Sequence, residues 1–298
     1  MTFGVNDSPH NGKSGNRLTS QQIGARLRQE LEHNVSISVL NSKDRMEEFE
    51  VQGRGEMQLG VLIENMRREG FELSVSPPRV VIKEIEGKKM EPLEEVIIEV
   101  EDKYTGEVIQ KMVSRKGELQ DMRPSESGKT RLYFKVPSRG LLGYRAEFMV
   151  DTHGSGVMNR VFDSYIPYKG SMEKSRKGVL VSMDNGKATN FSLLNLEPRG
   201  QLFIKPGAEV YSGMIVGEHS RDVDLDVNPV KEKKLTNMRS TEKDDFVRLA
   251  PIRQFSLEEA LSYIAADEVV EVTPTTINLR KKHLDPGMRK RASKRNDQ

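Results

Sequence analysis

The stretch from residue 51 to residue 75 reads VQGRGEMQLGVLIENMRREGFELSV. In its middle, apolar residues recur every three or four positions and share one helical face, whereas at its end they alternate with polar residues, as in a strand. The helical set is Leu59, Leu62, Ile63 and Met66. Gly70 is the expected helix stop, because glycine adopts the left-handed conformation that ends helices. The stretch therefore predicts a strand, a helix over about 56–69 and a closing strand.

The residues before this stretch supply the other half of a small domain. Met1–Val5 and Val35–Leu40 have strand patterns, and Phe49 with Val51 marks a third strand. Thr19 followed by Gln22 is a capping box that opens a helix between the first two strands. The predicted order is βαββαβ, the ferredoxin-like arrangement. Pro77-Pro78 ends the unit, since proline continues neither a helix nor a central strand.

The same order recurs in the next segment, and the character of the chain then changes. Within 78–167 we predict strands at 79–85, 96–100, 132–136 and 157–162, with helices from Thr105 and from Ser138. In the last segment we predict strands at 179–183, 188–193, 202–204, 214–218, 269–272 and 276–279. Its one clear helix starts at Ser256, with Glu259 completing a capping box. The fold class is α+β: two tandem ferredoxin-like domains (1–77 and 78–167), then a mostly β domain (168–298) with one clear helix.

Composition excludes several classes of protein. Hydrophobic residues make up 35% of 298 residues and mean hydropathy is −0.61, which argues against an integral membrane protein. Cysteine is absent, so disulfides and thiolate metal sites are excluded. A cytosolic protein is favoured, and a periplasmic one is the alternative. The net charge of +2 hides an uneven distribution, because Arg280–Gln298 carries eight Lys or Arg against two Asp. This tail suggests a polyanion partner, with a merely solubilising tail as the alternative.

The sequence gives little support for a catalytic or cofactor-binding site. Gly12-Lys13-Ser14 and Gly128-Lys129-Thr130 end like a phosphate-binding loop, but Asp7 and Arg123 stand where its first glycine belongs. No two histidines have zinc-ligand spacing. Asp151 and His153 could form half of an acid–base pair, yet no activated serine accompanies them. We therefore expect no catalytic residue, metal or cofactor in this chain.

The strongest binding signal is a cationic segment, the basic loop 228–243, whose sequence 231–239 reads KEKKLTNMR. Lysine and arginine pair with phosphates, while hydroxyl and amide groups contact sugars or bases. A solvated loop without a partner is the alternative. Two turns of similar sequence, Gly53-Arg54-Gly55 and Ser138-Arg139-Gly140, precede predicted helices. The predicted RNA-contacting residues are Lys231, Lys233, Lys234, Thr236, Asn237 and Arg239, with Arg54, Arg139, Arg280, Lys281 and Lys282.

Several of these motifs resemble a known protein class. The stretch 51–73 resembles domain III of the elongation-factor-G class of translational GTPases, and VPSRGLLGYRAEF at 136–148 resembles their domain V. KLTNMR at 234–239 and VEVTP at 270–274 are similar to the TypA/BipA family within that class. The resemblance extends over essentially the whole chain.

The resemblance implies function as well as fold. It implies that a GTPase domain and a β-barrel domain precede Met1, so that this chain is a C-terminal fragment. GTP and Mg²⁺ would bind only in that missing domain, and no hydrolysis would occur here. The implied partners are the ribosome, through rRNA and the A-site tRNA that the basic loop would approach, and the missing GTPase domain. The implied roles are stress adaptation and large-subunit assembly in the cytoplasm, without membrane contact. The alternative from the residues alone is a protein–protein adaptor with a basic tail.

Overall fold

A computed structural model describes residues 1–42, 47–125, 128–172, 176–232 and 249–296, with side chains to residue 292. The chain divides into two compact units, one formed by Met1–Pro77 with Arg176–Gln298 and the other by Pro78–Ser175. Within the described residues, no helix combines the length and apolar character needed to cross a bilayer.

The first ferredoxin-like domain forms as predicted. Its elements are β1 (Thr2–Val5), α1 (Ser20–His33), β2 (Ser38–Asn41), β3 (Phe49–Gln52), α2 (Glu56–Arg68) and β4 (Leu73–Val75). The strands are antiparallel in the order β4-β1-β3-β2. Thr19 and Gln22 make the predicted capping box of α1. The four apolar residues predicted for α2 are buried, and Gly70 has a positive φ of 89° directly after the helix.

The second unit repeats this plan with longer strands. Its elements are β5 (Lys83–Ile85), β6 (Lys88–Glu101), α3 (Asp102–Ser114), β7 (Glu118–Pro124), β8 (Lys129–Pro137), α4 (Ser138–Leu141), α5 (Tyr144–Asp151) and β9 (Val157–Pro167). The order β9-β6-β8-β7 is again that of a ferredoxin-like sheet, and β5 forms a hairpin with the start of β6. Glu86 and Gly87 both take positive φ in that hairpin turn. The prediction of tandem ferredoxin-like domains is confirmed.

The last segment is mostly β, as predicted. Its elements are β10 (Val179–Ser182), β11 (Gly186–Lys187), α6 (Asn190–Leu196) with a 3₁₀ turn at Glu197–Arg199, β12 (Gly200–Leu202), β13 (Glu209–Val210), β14 (Ile215–His219), β15 (Leu225–Val227), α7 (Leu257–Tyr263), β16 (Glu268–Val272), β17 (Ile277–Lys281) and α8 (Pro286–Asn296). One sheet has the order β12-β14-β10-β15, and β11 pairs with β13. The strand predicted at 188–193 is wrong. Thr189 accepts a hydrogen bond from the Ser192 amide and caps α6 instead, a local hydrogen bond that favours helix over sheet.

Two strands of the last segment extend the first sheet. β16 pairs antiparallel with β4 and with β17, so the sheet has six strands in the order β17-β16-β4-β1-β3-β2. One hydrophobic cluster accordingly contains Phe3 and Val75 together with Val179 and Val270. The structure thus joins the first and last predicted segments into one compact unit. The three-domain division remains a prediction of the sequence.

Candidate nucleic-acid interface

The described residues on either side of 233–248, called here the stems of the basic loop, contact opposite ends of α6. At the first end, the Thr189 hydroxyl donates to the carbonyl of Lys231 over 2.6 Å. At the other, the Ala250 amide donates to the Glu197 carboxylate over 2.8 Å. Eight residues separate Thr189 from Glu197, which is roughly 12 Å of helix. Both stems of the loop are therefore held on one short helical element.

Only one predicted contact residue of this loop lies within the described structure. Lys231 is exposed, and its backbone is held by Thr189 as above. The other predicted contacts, Lys233, Lys234, Thr236, Asn237 and Arg239, lie outside the described residues. Their role in RNA binding stays a prediction.

The two Gly-Arg turns differ in what their arginines contact. Arg54 is exposed ahead of α2, and its amide donates to Gln58 over 2.9 Å. Arg139 instead pairs with the buried carboxylate of Glu91 and donates to the carbonyl of Gly170 over 2.6 Å. The role of Arg54 as an RNA contact stays a prediction. Arg139 holds α4 against β6.

Arg280 has an internal role that its sequence position did not reveal. The side chain is 2% exposed and donates to Asp7, to the Ser74 hydroxyl over 3.0 Å and to the Lys281 carbonyl over 3.2 Å. These bonds link β17 to the first ferredoxin-like domain. A phosphate cannot reach this guanidinium, so the prediction of Arg280 as an RNA contact is wrong.

Lys281 lies at the centre of a carboxylate cluster. The oxygens of Asp224, Asp267 and Glu268 lie within 4.8 Å of one another, a spacing compatible with a metal ion. The Lys281 ammonium donates to all three, at 2.6, 2.8 and 2.9 Å, and therefore occupies the cation position. Burial lowers the pKa of Lys281, but Glu268 and Asp267 outweigh it and hold the pKa above its ordinary value.

This arrangement also removes Lys281 from the predicted RNA contacts. Its side chain is 4% exposed and its charge is balanced inside the protein. Lys282 is half-buried, and its amide donates to the Asp267 carbonyl over 2.9 Å. Of the three cations predicted at 280–282, only Lys282 stays a candidate.

The segment Gly12-Lys13-Ser14 resembles the end of a phosphate-binding loop, but its amides bind a carboxylate of the protein itself. The Glu72 carboxylate, fully buried, accepts from the amides of Gly12 (2.9 Å), Ser14 (3.1 Å) and Gly15 (2.7 Å). Burial raises the pKa of Glu72, but these amides outweigh it and hold the pKa below its ordinary value. A Cβ at Gly15 would lie 2.7 Å from the Glu72 Cγ, so the loop needs glycine for this close approach.

Glu72 belongs to a buried polar network that links two distant parts of the chain. Asn6 donates to Glu72 over 3.3 Å and to Glu271 over 3.1 Å. Glu271 also accepts from Ser8 over 2.8 Å and from the Tyr211 hydroxyl. Burial, followed by the charge of Glu271, raises the pKa of Tyr211 well above its ordinary value. The network fastens the first ferredoxin-like domain to the last segment and offers no open site for a ligand.

Asp151 and His153, the possible acid–base pair, contact different partners. Asp151 accepts from the Lys111 ammonium over 2.7 Å, and the exposed His153 ring stacks on Tyr104 with ring centroids 5.6 Å apart. His153 has a positive φ of 50° in the turn after α5. These contacts match a surface turn rather than a catalytic pair.

Sequence reasoning missed one cationic element. Residues 286–296, which the sequence suggests only as part of a basic tail, form helix α8. The signal was present in the sequence, because Asp285 followed by Pro286 is a typical pairing of an N-cap with the first helical position.

Comparisons with known proteins agree with this architecture. A family model of the TypA/BipA C-terminal domain matches residues 177–286, and a model of the elongation factor G C-terminus matches residues 88–184. The protein named large ribosomal subunit assembly factor BipA of Bacillus subtilis is 50% identical over 296 residues, which is 99% of this chain and 48% of that protein. Proteins of the same name from Salmonella typhimurium (50%) and Haemophilus influenzae (49%) match over 295 residues, with the same shares covered.

The chain spans about half the length of the curated relatives that it matches. The two family models overlap in this chain and together extend from residue 88 to residue 286. The chain belongs to the TypA/BipA family, and it corresponds to the C-terminal region that these models describe.

Proposed function

We propose that this chain is the ribosome-binding part of a TypA/BipA-type translational GTPase that acts in large-subunit assembly and stress adaptation in the cytoplasm. In this proposal it contacts rRNA and the A-site tRNA, and GTP with Mg²⁺ binds to a GTPase domain outside these 298 residues. The observation that carries the proposal is the 50% identity to proteins named for large-subunit assembly. The cationic loop, whose stems are held by Thr189 and Glu197, supports it.

The proposed contact is electrostatic. Three cations of the loop, Lys233, Lys234 and Arg239, would each neutralise a phosphate and release a counterion. For each phosphate that is no longer neutralised, the slope of log affinity against log salt should fall by about 0.7–0.9. The slope of the triple alanine variant should therefore be smaller by roughly two to three. When salt rises from about 50 to 200 mM, both proteins should lose affinity. The factor lost by the wild type should be some 20 to 40 times the factor lost by the variant.

The test is co-sedimentation with purified ribosomes across a salt series. A matched control replaces Arg28, Lys187 and Lys205, three exposed cations of the same compact unit, with alanine and so changes net charge equally. We expect the loop variant to lose both affinity and salt slope while the control keeps them. Equal behaviour of the two variants would contradict a specific role for the loop. Salt-insensitive binding by the wild type would instead favour the adaptor function, because an apolar interface releases few ions.

A further inference from the structure

Helix α8 is fixed to its domain at its first turn. Leu284 packs in the hydrophobic cluster of the last segment, and the Asp285 carboxylate accepts from the Met288 amide over 2.7 Å. Pro286 occupies the first helical position, where its missing amide hydrogen costs nothing and its fixed φ suits a helix. The direction in which the helix leaves the domain is therefore set by packing and capping.

One cation of the helix is used to hold it in place. The Arg289 guanidinium donates to the Leu284 carbonyl over 2.6 Å and to the Asp226 carboxylate of β15 over 2.8 Å. The Arg289 side chain is 14% exposed and that of Asp226 is 33% exposed. The charge of Arg289 is thus balanced locally, and its bonds connect α8 to the sheet.

The remaining cationic positions of α8 fall on the other side of the helix. At about 100° per residue, Lys290 and Arg291 lie about 100° and 200° around the axis from Arg289. Both are exposed. Lys294 lies four residues after Lys290, and Arg295 lies four residues after Arg291. Positions four residues apart lie on the same face of a helix. Four cationic positions therefore share the half of the helix opposite Arg289.

This charge pattern is unfavourable for a helix alone in water. None of residues 286–296 is acidic, so the helix itself provides no carboxylate to offset the repulsion between like charges four residues apart. The helix has 11 residues, which is shorter than the roughly 12–15 that isolated helices need. Met288 is 58% exposed, so packing of this side chain adds little. A row of phosphates along the cationic face would relieve the repulsion, and an A-form RNA backbone provides such a row.

We propose that α8 is a second RNA-backbone contact, independent of the basic loop, and that the Arg289–Asp226 ion pair orients it. Arg289 is in this view a positioning residue, while Lys290 and Arg291 touch phosphate. The inference rests on the proposed ribosome binding and adds to it a second site and its orienting device.

A mere basic tail and an oriented helix predict opposite effects of one substitution. Asp226→Ala removes the tether and makes the protein more positive by one charge. A tail that acts only through its charge should then bind a polyanion more tightly. An oriented helix should bind about three- to tenfold more weakly, because its side chains must be ordered on binding. Asp226→Glu keeps the ion pair and should restore wild-type affinity.

The experiment measures binding of the wild type, D226A, D226E and the double variant Lys290→Ala/Arg291→Ala to purified ribosomes and to a 20-base-pair RNA duplex. The matched control is Lys187→Ala/Lys205→Ala, and thermal melting verifies that each variant is folded. We expect the salt slope of the double variant to fall by about 1.4 to 1.8 on both probes, with D226A weaker and D226E restored. D226A binding as tightly as the wild type, or more tightly, would overturn the orientation. An unchanged slope in the double variant would overturn the contact.

The RNA duplex separates failure of this inference from failure of the proposed function. If the wild type does not sediment with ribosomes, the proposed function fails. Loss of duplex binding in the double variant, but not in the control, would still support the role of α8. If the wild type binds ribosomes and all variants match it, the ribosome-binding function stands and the α8 inference is overturned.

Discussion

Replacing Glu72 by glutamine should destabilise the protein strongly, although the two side chains have nearly the same shape. One carboxylate oxygen accepts from the amides of Ser14 and Gly15, and the other from Gly12 and from the Asn6 side chain. A glutamine amide keeps one acceptor oxygen but turns the other position into an NH₂ group. In either orientation that NH₂ faces two donors, so two hydrogen bonds disappear and two donors at least partly shielded from water lose their acceptor.

The size of the effect follows from these hydrogen bonds. A hydrogen bond to a charged group contributes about 1.5–3 kcal/mol, and an unpaired buried donor costs about 1–3 kcal/mol. Some relaxation of the glycine-rich loop will recover part of this stability. We expect a decrease of about 3–5 kcal/mol in the free energy of unfolding, which is large against the roughly 5–15 kcal/mol of a typical domain. For a unit of this size, the melting temperature should fall by about 10 °C.

The effect should also depend on pH with a definite sign. The amides around Glu72 hold the pKa of its carboxyl group below the ordinary value for glutamate. A carboxyl group with a lowered pKa stabilises the folded state above its unfolded pKa, and this contribution disappears as pH falls through the folded pKa. The difference between the wild type and Glu72→Gln should therefore be full at pH 7 and should shrink below about pH 4.

Urea unfolding monitored by circular dichroism at several pH values measures both quantities. The matched control is Glu209→Gln, which neutralises an exposed glutamate paired with Lys13 in the same region and should cost less than about 1 kcal/mol. A decrease below about 1 kcal/mol for Glu72→Gln at pH 7, or a decrease that does not change with pH, would refute the interpretation of residues 12–15 as an anion-binding loop for Glu72.

Three further substitutions test the internal roles assigned to charged and capping residues. Lys281→Met should destabilise the protein by about 1.5–3 kcal/mol in urea unfolding, because the buried Glu268 carboxylate loses its ammonium partner but keeps its pair with Arg176; a neutral result would contradict the pairing. Arg139→Ala should lower the melting temperature through removal of the buried pair with Glu91, while ribosome affinity measured on folded protein should stay unchanged. Ser256→Ala should cost about 1 kcal/mol of unfolding free energy, since the hydroxyl caps α7.

Local signals in the sequence predicted most of the secondary structure. The capping box at Thr19, the stop at Gly70 and the apolar face of α2 depend only on residues within a few positions, and all three are present. The repeated βαββαβ order followed from the same kind of pattern. The apolar residues after Thr189 are compatible with a strand or with a short helix. The cap that Thr189 forms determines that they are helical.

The union of the first and last segments could not be predicted in this way. β16 pairs with β4 across nearly 200 residues of chain, and no local pattern specifies which sheet edge a strand will join. The buried carboxylates Glu72 and Glu271 likewise have no distinguishing neighbours in sequence. Their partners come from the loop at 6–15 and from Tyr211, so their burial becomes visible only once these segments are together.

Internal ion pairs change how the charge of the C-terminal tail relates to RNA affinity. Formal charge assigns eight cations to 280–298, but Arg280, Lys281 and Arg289 are balanced by internal carboxylates. A counterion-release slope depends on the phosphates that are neutralised, not on formal charge. The tail should therefore contribute at most five phosphate contacts, a slope of roughly 3.5 to 4.5 instead of about 5.5 to 7 for eight cations. A measured contribution near the larger value would mean that RNA binding breaks these internal ion pairs.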